Sequence, residues 1–221
     1  MLIHAENYSR IKEEIAPNRA TLVAVSKTKP QAAIQELYDL GQRDFGENYV
    51  QELVEKQPQL PSDIRWHFIG HLQSNKVKYI APFVHLVHGI DSLKLLKEVN
   101  KQAQKVNRVI SVLLQVYIAK EETKFGLDET ELQQLLESAE LAGLKNVTVK
   151  GLMGMASFSD DPNLVRSEFH TLKTLFDRYA LLPLPNGKFE ILSMGMSGDY
   201  KIALEEGSNM VRIGSLLFGS R

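Results

Sequence analysis

Lys27 follows a short apolar run, Leu22 to Val25 in "TLVAVSKTKP", and sets an amine at the end of what reads as a buried parallel strand. Lysine is almost never fully buried unless paired. Flanked by low-dielectric walls, its ammonium is destabilised, and the neutral amine is a nucleophile toward an aldehyde carbon. The competing reading is a lysine that snorkels to water or pairs with a carboxylate. Towards the other end, "LSMGMSGDYKIALEEGSNMVRIGSLLFGSR" reads as strand, small-residue loop, helix, strand and a second turn of small residues. Ser197 and Gly198 stand before a helix that carries Ile202, Ala203 and Leu204 and stops at Gly207, and Gly214 and Ser215 follow the last strand. Main-chain N–H groups and hydroxyls from the two loops suit a phosphate; taken singly, each loop reads equally well as a helix cap or an ordinary turn. Arg212, in "NMVRIG", is costly to bury on an apolar strand without a partner. Because arginine keeps its proton, it can donate to a pyridine nitrogen without protonating it, which leaves the ring a poorer electron sink than one held by an aspartate. An ion pair with a carboxylate at the strand end would use Arg212 equally well.

These groups need a scaffold that brings strand ends together. Eight apolar runs qualify as strands: "TLVAV", "RDFG", "RWHFIG", "FVHLVHG", "VISVLLQV", "VTVKGLM", "FEILSM" and "NMVRIG". Amphipathic segments alternate with them, the pattern of βα units. One helix is expected from Pro30 to Gly41 with Ala33, Ile34, Leu37 and Leu40 on one face. A second is expected over Thr130 to Ala142 with Gly143 as its stop, and a third starts at Asp161 and Pro162 and carries Val165, Phe169, Leu172 and Leu175. The expected fold is α/β, a single (β/α)8 barrel preceded by an extra N-terminal helix, with residues 1–221 as one domain. An open doubly wound sheet is the alternative. In such a barrel, functional groups sit at the C-terminal ends of strands, and phosphate is bound after strands seven and eight, where the two loops fall.

Composition narrows the partners. Twenty-six basic and 27 acidic residues give a formal net charge of −1, so the chain shows no basic excess for nucleic acid. It has no cysteine, which excludes disulfides and thiolate metal sites and agrees with a reducing cytoplasm. The N-terminal "MLIHAENYSRIKEEIAP" mixes charge into its apolar positions and reads as neither signal peptide nor membrane span. The six histidines form no ligand set: His67 and His71 flank a strand-to-turn transition, and His85 and His88 are spaced to opposite strand faces. No interface stripe stands out, so a monomer is expected.

The stretches "AVSKTKP", "DFGENYVQE", "WHFIGHLQSNK", "ETKFGL", "GLMGM" and "SMGMS…GSNMVRIGSLLFG" together resemble, in order and from the N-terminal helix to Arg221, the YggS/PROSC family of pyridoxal 5′-phosphate homeostasis proteins. The resemblance implies an alanine racemase-type barrel of PLP fold type III that holds pyridoxal phosphate as an internal aldimine on Lys27. It implies Arg212 at the pyridine nitrogen and Ser197, Gly214 and Ser215 around the phosphate; Ser215 stands where threonine is more usual. Asn48 lines the pocket on this reading, or caps the helix that carries Val50 and Leu53. Met153 touches the ring or packs in the barrel. The role implied is to hold, buffer or deliver the cofactor, with PLP-dependent apoenzymes as recipients and no substrate turnover. The alternative is a single-domain amino-acid racemase, which needs an acid and a base on opposite faces of the substrate carbon. In the resembling racemases one of these is a tyrosine from a second domain, and this chain stops soon after the phosphate turn; Tyr49 and Tyr117 are the tyrosines to consider in its place.

Overall fold

The computed structural model describes residues 2–119 and 125–219. Its strands are β1 (Thr21–Val25), β2 (Asp44–Glu47), β3 (Arg65–Phe68), β4 (Leu86–Ile90), β5 (Ile110–Gln115), β6 (Val147–Met153), β7 (Gly187–Ser193) and β8 (Met210–Ile213). They close in sequence order into a parallel barrel. Closure is made where β8 meets β1, with Thr21, Leu22, Val23 and Ala24 opposite Met210, Val211, Arg212 and Ile213, and this rules out the open sheet. On its other side β8 meets β7 in register at one position, Ser193 opposite Met210.

The helices are α1 (Ala5–Ile15), α2 (Gln31–Asp39), α3 (Val50–Lys56), α4 (Val77–Ile80), α5 (Leu93–Lys105), α6 (Glu129–Glu137), α7 (Pro162–Ala180), α8 (Tyr200–Glu205) and α9 (Ser215–Phe218). The extra N-terminal helix is α1, which buries Tyr8, Ile11 and Ile15. After α2 the chain turns through Gly41 at φ +101°, a value that glycine tolerates without a Cβ penalty. The start of α7 matches expectation, with the Asp161 carboxylate accepting from the Asn163 N–H at 2.9 Å. The expected helix over Thr130 to Ala142 is shorter than its apolar stripe. It opens with a capping box between Asp128 and Glu131 and ends at Glu137, because Ser138 turns extended and its hydroxyl takes the Glu140 N–H. Leu141 still reaches the core, from a short 3-10 turn.

Apolar packing is divided between two layers. The larger lies between strands and helices and includes Ile34, Phe45, Phe68, Leu96 and Phe169. The smaller fills the barrel itself with Val23, Leu86, Leu113, Met153 and Met210. The buried polar side chains include Asp44, His67, His88, Ser193 and Arg212. Gly151 permits the irregular pairing of β6, since a Cβ there would lie 2.0 Å from the Ile191 carbonyl oxygen. Among the described residues no helix is long and apolar enough to cross a membrane.

Candidate functional site

At the C-terminal ends of the strands lies a cavity of about 590 Å³, lined among others by Lys27, Asn48, Ser197, Arg212, Gly214 and Ser215. All six residues singled out in the sequence thus meet in one place, within the usual size range of small-molecule sites. Lys27, half-buried, leaves β1 between two pinned neighbours. Before it, the hydroxyl of buried Ser26 donates to Glu47 at 2.6 Å, and the Ser26 carbonyl accepts from Lys56 Nζ at 2.8 Å. After it, Thr28 sits at φ +62°, a strained value for a β-branched residue, and its N–H donates to Glu52 at 2.6 Å. Lys56 bridges both carboxylates, at 2.8 Å to Glu47 and 2.6 Å to Glu52. Burial pushes the Glu47 carboxyl up, against the pull of Lys56. This acid–base cluster holds the lysine turn from below, and its trace in the sequence is the Glu52–Lys56 spacing of four on α3.

Arg212 is 4% exposed and spends three of its N–H groups on the barrel wall. It donates to the Ser193 carbonyl at 2.9 Å, to the Ser193 hydroxyl at 2.6 Å and to the Gly154 carbonyl at 3.0 Å. A guanidinium has five donors, so two remain for the cavity it lines. Burial pulls its pKa down to about 10, partly offset by the Asp199 carboxylate, and it stays a cation at neutral pH. Its hydrogen bonds run to main-chain carbonyls and a serine; the carboxylate ion pair weighed from sequence is not how it is held.

The two small-residue loops touch: the Gly214 N–H donates to the Ser197 hydroxyl at 3.3 Å, so this main-chain donor is not wholly unsatisfied. The first loop is closed on itself by the Asp199 carboxylate, which accepts from the Met196 N–H at 2.6 Å. A Cβ on Gly198 would meet nothing within 4 Å, so the loop leaves open space. Of the two roles weighed for Asn48, capping drops out: Tyr49 occupies the cap position of α3 and makes no side-chain cap bond. The Asn48 Oδ1 is buried without a partner among the described residues, a cost of about 1–3 kcal/mol that a polar ligand would remove. In "GLMGM" the barrel packing is done by Met153, whereas Met155, which the sequence reading passed over, lines the cavity, as does the 98% exposed Phe158. Tyr49 and Tyr117 are not among the described residues that line it. The stretch "ETKFGL" lies partly outside the described residues, at Glu122–Lys124, as does Arg221.

An amine, a donor cation that keeps its proton, two serine hydroxyls and an unsatisfied amide oxygen in one cavity fit an aromatic aldehyde that bears a phosphate. The family model described as "Alanine racemase, N-terminal domain" matches residues 4–221. A pyridoxal phosphate homeostasis protein of Aquifex aeolicus is 42% identical, with 98% of this chain and 97% of that protein covered. Its namesake in Escherichia coli K12 is 37% identical, over 98% of this chain and 96% of the other. Among solved structures, PipY of Synechococcus elongatus PCC7942 with PLP bound superposes with a TM-score of 0.87 at 35% identity, covering 97% of this chain and 99% of that one.

Proposed function

The chain belongs to the alanine racemase N-terminal domain family, among its pyridoxal phosphate homeostasis proteins, and on that premise we propose that it holds pyridoxal 5′-phosphate for intracellular buffering or delivery without turning over a substrate. The supporting observation is the convergence of Lys27, Arg212 and the two serine loops on one cavity. When bound, the cofactor supplies an aldehyde carbon and an electron-withdrawing ring. Lys27 would hold the aldehyde end through Nζ, in place of the aldehyde oxygen, which leaves as water. Arg212 donates to the ring nitrogen and leaves it unprotonated. Ser197, Ser215 and the Gly214 N–H hold the phosphate, and Asn48 lines the ring.

The reading without turnover is supported by what else lines the cavity. Reaction at a substrate carbon needs an acid and a base on opposite faces. Besides Lys27, the titratable side chains lining it among the described residues are Lys29, Asp199 and Arg212. Lys29 donates to the Phe218 and Gly219 carbonyls, Asp199 closes its own loop, and Arg212 is tied to the wall. On this reading the protein is a cytoplasmic monomer of one domain, residues 1–221, with PLP-requiring apoenzymes as recipients.

Borohydride reduction of PLP-loaded protein followed by peptide mass mapping tests the assignment. The adduct is expected on Lys27, with the visible absorbance lost in Lys27→Ala; an adduct on Lys29 or Lys201 would refute it. Racemisation of L-amino acids at about 1 per second or faster, abolished by Lys27→Ala, would establish the racemase instead.

A further inference from the structure

Behind Arg212 a chain of buried polar side chains runs through the barrel interior. Ser193 Oγ lies 3.2 Å from His88 Nδ1, His88 Nε2 lies 2.9 Å from His67 Nδ1, and His67 Nε2 lies 2.9 Å from Asp44 Oδ1. Asp44 is in turn gripped by Arg65, at 2.8 Å from Nε and 2.5 Å from Nη2, where β3 begins. His67 and His88 are at most 1% exposed. Such a chain is conspicuous in a place where barrels of this kind pack branched apolar residues.

Donor rules fix its direction. The Asp44 carboxylate can only accept, so a neutral His67 is the Nε2–H tautomer and accepts at Nδ1. His88, neutral as well, then donates from Nε2 and accepts at Nδ1 from the Ser193 hydroxyl, whose lone pairs take the Arg212 N–H because arginine cannot accept. Every proton points away from the cavity and towards the one anion of the chain. Asp44 can serve as that anion: burial alone would raise it, but the hydrogen bonds from His67 and Arg65 hold its carboxyl well below the usual carboxylate range. Burial also keeps His88 neutral, helped by the positive charge of Arg212.

We propose that Ser193, His88, His67 and Asp44 are positioning residues that act as one directed hydrogen-bond chain, locking the Arg212 guanidinium in the orientation that presents its remaining donors to the ligand ring. This rests on the cofactor reading above for the identity of the ring, but not for the chain. The Ser193 hydroxyl is the joint: with its proton committed to His88, its lone pairs face Arg212. Without an acceptor at His88 Nδ1, the hydroxyl is released to rotate, and one of the three bonds that orient the guanidinium loosens.

Two amides separate this role from plain packing. Asparagine at position 88 puts an acceptor oxygen near the place of Nδ1, whereas glutamine keeps a donor near Nε2 and lacks that acceptor. PLP titration is expected to show His88→Gln weakening retention about tenfold and shifting the visible band of the bound cofactor. His88→Asn should stay within about threefold with the band unmoved. Nitrogen-15 NMR of the cofactor-free wild type at pH 7 needs no variant: both His67 and His88 are expected as neutral Nε2–H tautomers. An Nδ1–H tautomer or an imidazolium at either residue, or equal effects of the two amides, would overturn the proposal. If wild-type protein shows the expected tautomers but takes up no PLP, the cofactor reading fails and the chain stands.

Discussion

His88 gives the most quantitative handle on this interior. Its imidazole is wholly buried and its pKa lies well below the ordinary value, because burial disfavours the cation and the positive charge of Arg212 adds to the penalty. An unfolded histidine titrates near pH 6.5. Below that pH the unfolded chain binds a proton that the folded chain refuses, so stability is fully present above about pH 6.5 and falls as the solution becomes more acid. For one such group, with its folded titration well below the window, the loss between pH 8 and pH 5 is about 2 kcal/mol. Two other groups titrate nearby. His85 is lowered too and adds a loss of the same sign, while Glu47, raised by burial, works in the opposite direction above about pH 4.5. Both are retained in His88→Asn, so the difference between wild type and variant isolates His88. Urea denaturation of both proteins at pH 8, 6.5 and 5 is the assay. The wild type is expected to lose about 2 kcal/mol more than the variant over this range. Parallel pH profiles would refute the reasoning by showing that position 88 takes no part in the linkage.

Ser197→Ala and Ser215→Ala should each speed cofactor loss about tenfold or more, as a hydroxyl donor to a charged phosphate disappears; unchanged dissociation rates in both would remove these loops from the phosphate site. Lys56→Met leaves the fully buried Glu47 uncompensated and should cost about 3–5 kcal/mol in urea unfolding. Adding Glu47→Gln should recover a large part of that, and a cost below about 1 kcal/mol for the single variant would contradict the burial argument. Gly151→Ala drives a Cβ into the Ile191 carbonyl at 2.0 Å and should destabilise by about 2–4 kcal/mol, read as a lower midpoint with the same urea slope.

The strands were legible because Val, Ile and Leu cluster in short runs bounded by turn residues, and even the four-residue β2 was found one position early, in "RDFG". The premature end of α6 was not, since the stripe of leucines continues past Ser138 into a turn that merely resembles more helix. Lys27, Arg212 and the serine loops were visible as chemistry that its surroundings did not explain. What stayed hidden depends on register. His67 and His88 read as belonging to separate strands, and only the pairing of His67 with Leu86, two positions before His88, brings both imidazoles into the barrel. The Glu47–Lys56 pair beneath Lys27 was equally out of reach, because its partners come from a strand end and a helix end whose approach is set by packing. In "GLMGM" the period of two puts both methionines on one face, but β6 ends at Met153, so Met155 belongs to the cavity.

The single in-register contact between β7 and β8 gives Arg212 a second duty. From β8 its side chain reaches across to Ser193 on β7 and beyond it to Gly154, just past the end of β6, and so laces three neighbouring strands at the thinnest joint of the ring. Removing it therefore cuts a fastening of the container along with the ligand contact proposed for it. Loss of ligand in an Arg212 variant is then two effects in one number. Amide exchange at Met194 and Arg212, whose N–H groups close this joint on Met210 and Gly195, reports on the fastening alone when measured without ligand.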